Sequence, residues 1–203
     1  MITNPGLDLE ITHWSENRLI VAGVDEAGRG ALAGPIVAAC VVLPPYANLR
    51  DNLLQVRDSK TMTATDRDHW AQVIWQVALG IGIGRVEASE IDKTGIQPAN
   101  QKAMLLAIEA CPCTPDFILS DFIHWKNPPA HFQRYKKGES ISLSIAAASI
   151  IAKTTRDAIM LQAQDHYPQF LFGRNKGYGT AAHLQALAIH GRCPLHRKTF
   201  IPE

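Results

Sequence analysis

The sequence predicts an α/β fold, because short β-favouring runs alternate with longer stretches of helical periodicity. Apolar, β-branched or alternating runs indicate strands at 19–24, 36–43, 81–86, 116–121 and 131–136. Apolar residues three and four positions apart indicate helices at 65–78, 97–110, 142–166 and 180–190. Strands interleaved with helices in this way are typical of a sheet covered by helices.

The size and composition of the chain indicate one compact domain. Its 203 residues are 46% hydrophobic, which is enough apolar material for a well-buried core. The longest apolar runs, near 36–43 and 144–152, are shorter than a membrane span, and the N-terminus lacks the apolar core of a signal peptide. We therefore expect a cytoplasmic protein with no membrane partner, in which the cysteines are free thiols. The cysteines are Cys40, Cys111, Cys113 and Cys193.

The net charge of +1 hides a strong asymmetry along the chain. Residues 1–125 contain 9 Lys and Arg against 15 Asp and Glu, whereas residues 126–203 contain 11 against 4. An acidic half can supply metal ligands and a basic half can bind phosphates. This distribution suits a nuclease, although a solvated surface could give the same sum.

Two adjacent carboxylates, Asp25 and Glu26, follow the first apolar run and precede the glycines Gly28 and Gly30. Neighbouring side chains in a strand point to opposite faces, so we expect the chain to bend at the glycines and bring both acids to one site. Carboxylates about 5 Å apart repel by roughly 3 kcal/mol at an effective dielectric constant of about 20, and a divalent cation between them reverses that cost. The pair alone leaves two interpretations open, a metal site and an exposed acidic turn.

Residues 28–33 also fit the loose glycine pattern of dinucleotide-binding loops. That pattern requires a helix immediately after the glycines, whose N-terminus binds the pyrophosphate. Here Pro35 is followed by the β-branched run 36–43, so the loop joins two strands in a hairpin-like antiparallel pair. We therefore reject dinucleotide binding.

The stretch 23–30, GVDEAGRG, followed by Gly34 and Pro35, resembles the signature of type 2 ribonuclease H, the bacterial ribonuclease HII family. The resemblance covers nearly the whole chain, with its motifs in family order. It extends through 57–60 (RDSK), 95–99 (GIQPA), 146–153 (AAASIIAK), 155–157 (TRD), 176–180 (KGYGT) and 196–200 (HRKTF).

This resemblance implies a ribonuclease H-like fold, a mixed five-stranded sheet flanked by helices with a C-terminal helical extension. We accordingly divide the chain into a loosely docked N-terminal extension, 1–17, and a catalytic domain, 18–203. The C-terminal helical segment of that domain begins at about 168.

The resemblance also implies a metal site for two Mg²⁺ or Mn²⁺ ions, held by Asp25, Glu26, Asp121 and Glu139. Asp121 ends a predicted strand parallel to the one that carries Asp25, so the two acids share one edge of the sheet. Without the resemblance, an aspartate at the end of a strand would be interpreted as a turn former or a helix cap. Glu139 stands where the family normally has aspartate, and its longer side chain shifts the ligand oxygens. The alternative for Glu139 is a cap of the helix at 142–166.

Substrate contacts are likewise implied by the resemblance. The loop of Gly28, Arg29 and Gly30 would detect a ribose 2′-hydroxyl, Lys60 would lie near the phosphates, and Tyr178 would stack on the next sugar. Lys176 belongs to the same basic loop and is assigned to substrate binding with Tyr178. Without the resemblance, Tyr178 would be interpreted as an ordinary aromatic residue of a loop. Lys153 and Asp157, four residues apart on a helix, are predicted to form an ion pair.

The implied activity is that of an endonuclease on two substrates. It hydrolyses the RNA strand of RNA/DNA hybrids and cuts duplex DNA 5′ to an embedded ribonucleotide, leaving 3′-hydroxyl and 5′-phosphate ends. The alternatives are another nuclease or strand-transfer enzyme of the same fold, and a non-catalytic hybrid-binding protein. We expect a monomer; a sliding-clamp contact is not readable from the sequence.

Overall fold

A five-stranded mixed sheet forms the centre of the molecule. The computed structural model describes residues 4–45, 49–53, 55–121, 125 and 128–201. The strands are β1 (Val21–Ala27), β2 (Ile36–Val42), β3 (Gly80–Val86), β4 (Phe117–Asp121) and β5 (His131–Tyr135). Their order across the sheet is β3-β2-β1-β4-β5.

Strand pairing confirms the predicted hairpin and the predicted parallel neighbour. β1 pairs antiparallel with β2, with Asp25 opposite Ala39, so residues 28–35 connect strand to strand. β1 also pairs parallel with β4, with Val24 opposite Ser120. The carboxyl ends of β1 and β4 therefore lie side by side at one edge of the sheet.

The predicted helices are present, with bounds within one residue of those expected. The helices of the described chain are α1 (Asp8–Ser15), α2 (Leu49–Asn52), α3 (Ala64–Val77), α4 (Ala88–Thr94), α5 (Ile96–Ala110), α6 (Leu143–His166), α7 (Phe172–Asn175) and α8 (Ala181–His190). Neither α1 nor α4 was predicted from the sequence. None of the helices within the described ranges is both long and apolar enough to cross a bilayer.

Helices cover both faces of the sheet. On one face, the small residues that open α6 permit close packing on β1: a Cβ added to Gly23 would lie 2.1 Å from the backbone of Ser144. On the other face, α5 packs equally close to β3, where Cβ atoms on Gly82 or Gly84 would lie about 2 Å from helix carbonyl oxygens. The glycines of β3 therefore serve close helix packing.

Residues 4–17, the described part of the N-terminal extension, are docked, contrary to our expectation of a loose attachment. The Glu10 side chain on α1 is fully buried and accepts hydrogen bonds from the Ser142 hydroxyl (2.6 Å), the Ser144 hydroxyl (2.7 Å) and the Ser144 amide (2.9 Å). These groups lie at the N-terminus of α6, where a carboxylate is favoured by the helix dipole. The extension thus positions the N-terminus of α6, the helix that follows the turn containing Glu139.

A small separate core joins the C-terminal helices to the end of α6. Phe170 and Phe172 stack with ring centroids 5.4 Å apart and pack with Met160 on α6, Ala33 before β2 and Ala186 on α8. Because Ala33 belongs to the loop after β1, this core ties the C-terminal segment to the edge of the sheet that carries the acids.

Candidate active site

Three of the four predicted acids line one cavity of about 450 Å³ at the carboxyl edge of the sheet. Asp25 and Glu26 lie near the end of β1, and Asp121 is the last residue of the neighbouring β4. The other residues that line this cavity are Ala27, Gly28, Arg29, Gly30, Ser59, Lys60, Ser149, Lys153 and Tyr178. The fold thus brings together acids that are almost 100 residues apart in the sequence.

Glu139 lies in a short 3₁₀ turn, 138–140, and lines an adjoining cavity that also contains Asp121 and Lys60. The Gly138 amide donates to Oδ1 of Asp121 at 3.0 Å, which fastens this turn to the end of β4. The alternative role of Glu139 as a helix cap is wrong. The cap of α6 is Ser142, whose hydroxyl accepts a hydrogen bond from the Ile145 amide.

The chain turns at the glycines as expected, but β1 continues to Ala27 first, so no bend separates Asp25 from Glu26. The Asp25 carboxylate accepts a hydrogen bond from Ser149 on α6, whereas that of Glu26 accepts one from Asn100 on α5. The two side chains therefore leave opposite faces of the sheet, as strand geometry requires. Both still border the cavity, because it opens at the end of the strand.

Burial and mutual repulsion destabilise the ionised acids in the absence of a cation. Burial, followed by the charge of Glu26, raises the pKa of Asp25 well above its ordinary value. Burial also raises the pKa of Glu26, against the opposing effect of Arg29, whose guanidinium lies 3.6 Å from Glu26 Oε1. The site consequently favours any positive charge placed among these oxygens.

Lys60 places a positive charge of the protein among the acids. Its Nζ lies 3.6 Å from Oε1 of Glu139, and its side chain is 73% exposed. Burial lowers the pKa of Lys60, but the surrounding carboxylates, led by Asp25 and Glu139, outweigh burial and raise it. Lys60 is therefore charged at neutral pH and faces the open side of the site.

The donor set fits hard divalent cations. All four acids supply oxygen ligands, and Oε2 of Glu139 is buried without a hydrogen-bond partner in the structure. Within the described ranges, however, no three His, Cys, Asp or Glu side chains already stand at the spacing that would hold one ion.

A fully buried guanidinium, that of Arg197, fixes the loop of residues 28–35. It donates to the carbonyl oxygens of Gly28 (2.8 Å), Arg29 (3.0 Å) and Gly34 (2.9 and 3.1 Å). Burial lowers the pKa of Arg197 to about 10, so the group is still charged at pH 7. Arg197 thus holds the loop in place through hydrogen bonds to three of its carbonyl groups.

A second fully buried guanidinium, that of Arg156 on α6, connects this loop to the loop of Tyr178. It donates to the carbonyl oxygens of Ala33 (3.0 Å), Pro35 (2.9 Å) and Lys176 (2.8 Å). Gly28 has φ +93°, and a Cβ there would lie 1.9 Å from Arg156 Nε. Glycine at position 28 is therefore required by the fold.

Tyr178 forms the far wall of the cavity. The Lys153 ammonium lies 5.5 Å and the Arg156 guanidinium 5.3 Å from its ring centroid. Lys153 also forms the predicted ion pair with Asp157, at 2.7 Å. Lys176 lines a separate cavity on the side of α3, where its Nζ donates to the Gly173 carbonyl, so the structure does not bring it to the acids.

A family model for ribonuclease HII matches residues 22–202, almost the whole chain. The chain belongs to the ribonuclease HII family. It is 45% identical over 200 residues to the ribonuclease HII of Chloroflexus aggregans, covering 98% of this chain and 94% of the relative. The enzyme of Chloroflexus aurantiacus is 46% identical over 198 residues, covering 96% and 93%.

The structural comparison agrees with this family membership. The ribonuclease H2 from Pyrococcus horikoshii superposes with a TM-score of 0.73 at 25% identity, over 88% of this chain and 92% of that chain. The ribonuclease H-like fold is therefore confirmed. As a ribonuclease HII, the protein is an endonuclease that acts on RNA/DNA hybrids.

Several residues of this ribonuclease HII site were not predicted from the sequence. Ser59 and Ser149 line the cavity, and their hydroxyls lie 2.8 Å apart. Lys153 was interpreted only as an ion-pair partner, and Arg156 and Arg197 were assigned no role. Ser149 follows three alanines in a predicted helix. This pattern could have indicated a polar side chain that faces the site.

Two buried histidines brace the Tyr178 loop of this ribonuclease HII. The Cys193 amide donates to His196 Nδ1 (2.9 Å), and the two Nε2 atoms of His196 and His183 lie 3.0 Å apart. His183 Nδ1 lies 2.9 Å from the Tyr178 carbonyl, which can only accept. His183 therefore carries its proton on Nδ1 and His196 on Nε2, and both rings are neutral.

The histidine pair predicts that this ribonuclease HII loses stability in mild acid. Burial lowers the pKa of His183, and burial with the neighbouring His183 lowers that of His196 to about 4. The unfolded chain, with pKa values near 6.5, binds more protons between about pH 6.5 and 4. The free energy of unfolding should therefore fall as the pH falls through that range. We expect the melting temperature to drop by several degrees between pH 7 and pH 5.

The matched variants are His196→Gln, which removes a titrating ring from the pair, and His190→Gln, which removes an exposed one. The first should flatten the pH dependence of melting, and the second should leave it as in the parent. Equal pH profiles for all three proteins would exclude the pair as the source.

Proposed function

We propose that this ribonuclease HII also incises duplex DNA on the 5′ side of a single embedded ribonucleotide, leaving 3′-hydroxyl and 5′-phosphate ends. The observation that carries the proposal is the position of a braced backbone loop, 28–35, beside the acids. A ribonucleotide differs from its neighbours by one 2′-hydroxyl, which is both donor and acceptor, so fixed backbone groups suit its recognition.

The open side of this loop supports close approach of a sugar. A Cβ on Gly30 would meet no atom within 4 Å, so packing does not demand glycine there. Gly30 lines the cavity together with Arg29, whose side chain is 46% exposed. We propose that Gly28, Arg29 and Gly30 contact the ribose from this side.

We propose that Asp25, Glu26, Asp121 and Glu139 hold two divalent cations, Mg²⁺ or Mn²⁺. Bound cations would lower the pKa of a ligated water and stabilise charge on the departing 3′ oxygen. The chain itself contributes the acids that attract the cations and two ammonium groups, those of Lys60 and Lys153, near the backbone phosphates. Phosphate contacts of this kind fix the register of a duplex without reading its sequence.

We propose that Tyr178 packs against the sugar that follows the ribonucleotide. Its ring borders the same cavity as the acids and is held by Lys153 and Arg156. Lys176 lies in the same loop, two residues before Tyr178, and remains a predicted phosphate contact at the edge of the site.

The test is cleavage of three end-labelled duplexes, with and without Mg²⁺ or Mn²⁺. One carries a single ribonucleotide, one is an RNA/DNA hybrid, and one is all DNA. We expect metal-dependent cleavage of the first two, with the single cut mapped immediately 5′ to the ribonucleotide. Cleavage of the hybrid without cleavage of the single-ribonucleotide duplex would overturn the proposal. Cleavage of the all-DNA duplex would indicate a different nuclease of the same fold.

Tyr178→Ala should reduce cleavage at a single ribonucleotide about tenfold more than cleavage of a long hybrid. The reason is that a hybrid offers many registers, whereas a single site depends on each sugar contact. A tenfold difference corresponds to about 1.4 kcal/mol, which is at the lower end of the roughly 1–3 kcal/mol that a base stacked on an aromatic ring contributes. The measurement is kcat/KM on both substrates.

Tyr178→Phe is the control, because it keeps the ring and its cation contacts. It should retain most of the parent's preference. Equal losses on both substrates for Tyr178→Ala would remove the tyrosine from substrate discrimination.

A further inference from the structure

Three of the four cysteines meet at the start of β3, although Cys40 is distant in the sequence from Cys111 and Cys113. Cys40 lies in β2, Cys111 follows the last residue of α5, and Cys113 lies two residues later. All are free thiols, as predicted. Their clustering was not predicted, because the sequence spacing forms no paired framework.

The sulfur atoms of Cys111 and Cys113 lie above the bare backbone of Gly80. A Cβ on Gly80 would be 3.0 Å from Sγ of Cys111 and 2.9 Å from Sγ of Cys113, so the two sulfurs are at most about 6 Å apart. The Cys113 thiol donates a hydrogen bond to the Leu79 carbonyl oxygen at 3.5 Å, and Cys40 lies close enough to affect the pKa of Cys111. The absence of a side chain at position 80 provides the space in which the sulfurs meet.

The three thiols differ in access and in acidity. Cys40 is fully buried, Cys111 is 9% exposed and Cys113 is half-buried. Hydrogen bonds, first that from Cys40, lower the pKa of Cys111 to about 6, whereas burial raises the pKa of Cys113. Cys111 is thus the thiolate of the group at neutral pH, and thiolates are the reactive form.

We propose that Cys111 and Cys113 form a redox-active pair that hydrogen peroxide converts reversibly to a disulfide. Cys111 and Cys113 flank Pro112 just beyond the end of α5, whereas Cys40 is fixed in the centre of β2 by pairing with Val24 and Gly82. Closing the bond requires the two sulfur atoms to come within about 2 Å of each other. The site is separate from the carboxylate cavity.

The chemistry proceeds in two balanced steps. The Cys111 thiolate attacks one peroxide oxygen, the O–O bond breaks, and the leaving hydroxide takes a proton to form water, leaving a sulfenic acid. Sγ of Cys113 then attacks Sγ of Cys111, the S–O bond breaks, and hydroxide leaves as water with the Cys113 proton. Two thiols and one peroxide give one disulfide and two waters.

The experiment treats the whole protein with stoichiometric hydrogen peroxide, counts free thiols and maps disulfides by mass spectrometry of peptides. We expect a loss of two thiols of four, a Cys111–Cys113 bond, and full recovery with dithiothreitol. Cys113→Ser should stop at the sulfenic acid on Cys111, which dimedone traps, and Cys111→Ser should slow thiol loss at least tenfold.

Cys193→Ser is the matched control, since Cys193 lies outside the cluster, and it should still form the disulfide. A bond that maps to Cys40 or between two molecules would overturn the assignment. Thiol loss in the Cys111→Ser protein at the parent's rate would do the same.

Discussion

Asp25→Asn is expected to abolish cleavage and to raise the melting temperature of the metal-free protein. The carboxylate is buried beside Glu26, and its raised pKa means that ionisation at pH 7 costs folding free energy. Asparagine has the same size and no charge. Stability should therefore rise by a few degrees in chelator, while kcat falls on the order of 10³-fold or more, because cation-held charge stabilisation supplies several kcal/mol.

Two measurements separate this explanation from simple loss of structure. The first is the rise in melting temperature on adding Mn²⁺, which should be clear in the parent and small in the variant, since a ligand stabilises the state that binds it. The second is the control Asp165→Asn, at an exposed position of α6, which should change neither activity nor melting. A destabilised Asp25→Asn protein, or one with near-normal turnover, would contradict the metal site.

Arg197→Met is expected to cause the largest loss of stability, about 3 kcal/mol or more. Methionine fills similar volume but donates no hydrogen bonds, so the carbonyl groups of Gly28, Arg29 and Gly34 lose their buried partner. Each buried unsatisfied group costs roughly 1–3 kcal/mol. Urea unfolding and thermal melting should report the loss, with a drop of about 6 °C or more.

The effect on cleavage should exceed the effect on folding. In the fraction that is still folded, the loop beside the acids lacks its brace, so incision at a single ribonucleotide should fall further than cleavage of a hybrid. Arg85→Met, at a side chain that is 47% exposed, is the control and should be nearly neutral. A stable Arg197→Met enzyme with normal incision would show that the loop holds its shape without the guanidinium.

Local signals explain why the sequence predicted most of the fold. The runs at 36–43 and 81–86 form β2 and β3 almost residue for residue. Such strands can be predicted because the apolar residues that they bury follow one another closely in the sequence. The Lys153–Asp157 pair is equally local. Asp121 followed from similar reasoning, since a parallel strand brings its end beside that of β1.

The parts that the sequence did not predict depend on contacts between distant residues. Arg156 and Arg197 make hydrogen bonds to carbonyl groups more than 120 positions away, and carbonyl groups are common to every residue. The burial of Glu10 against α6 is hidden for the same reason. Asp25 and Glu26 reach one cavity although they leave opposite faces of the sheet, because the cavity opens at the end of the strand.

The brace on the glycine loop also sets an order for biosynthesis. Arg197 is translated 168 residues after Arg29, whose carbonyl it binds. A nascent chain that has not yet reached Arg197 therefore lacks the guanidinium that binds the carbonyl groups of Gly28, Arg29 and Gly34. We expect this loop to take its final shape only when the C-terminal segment has been synthesised and has docked.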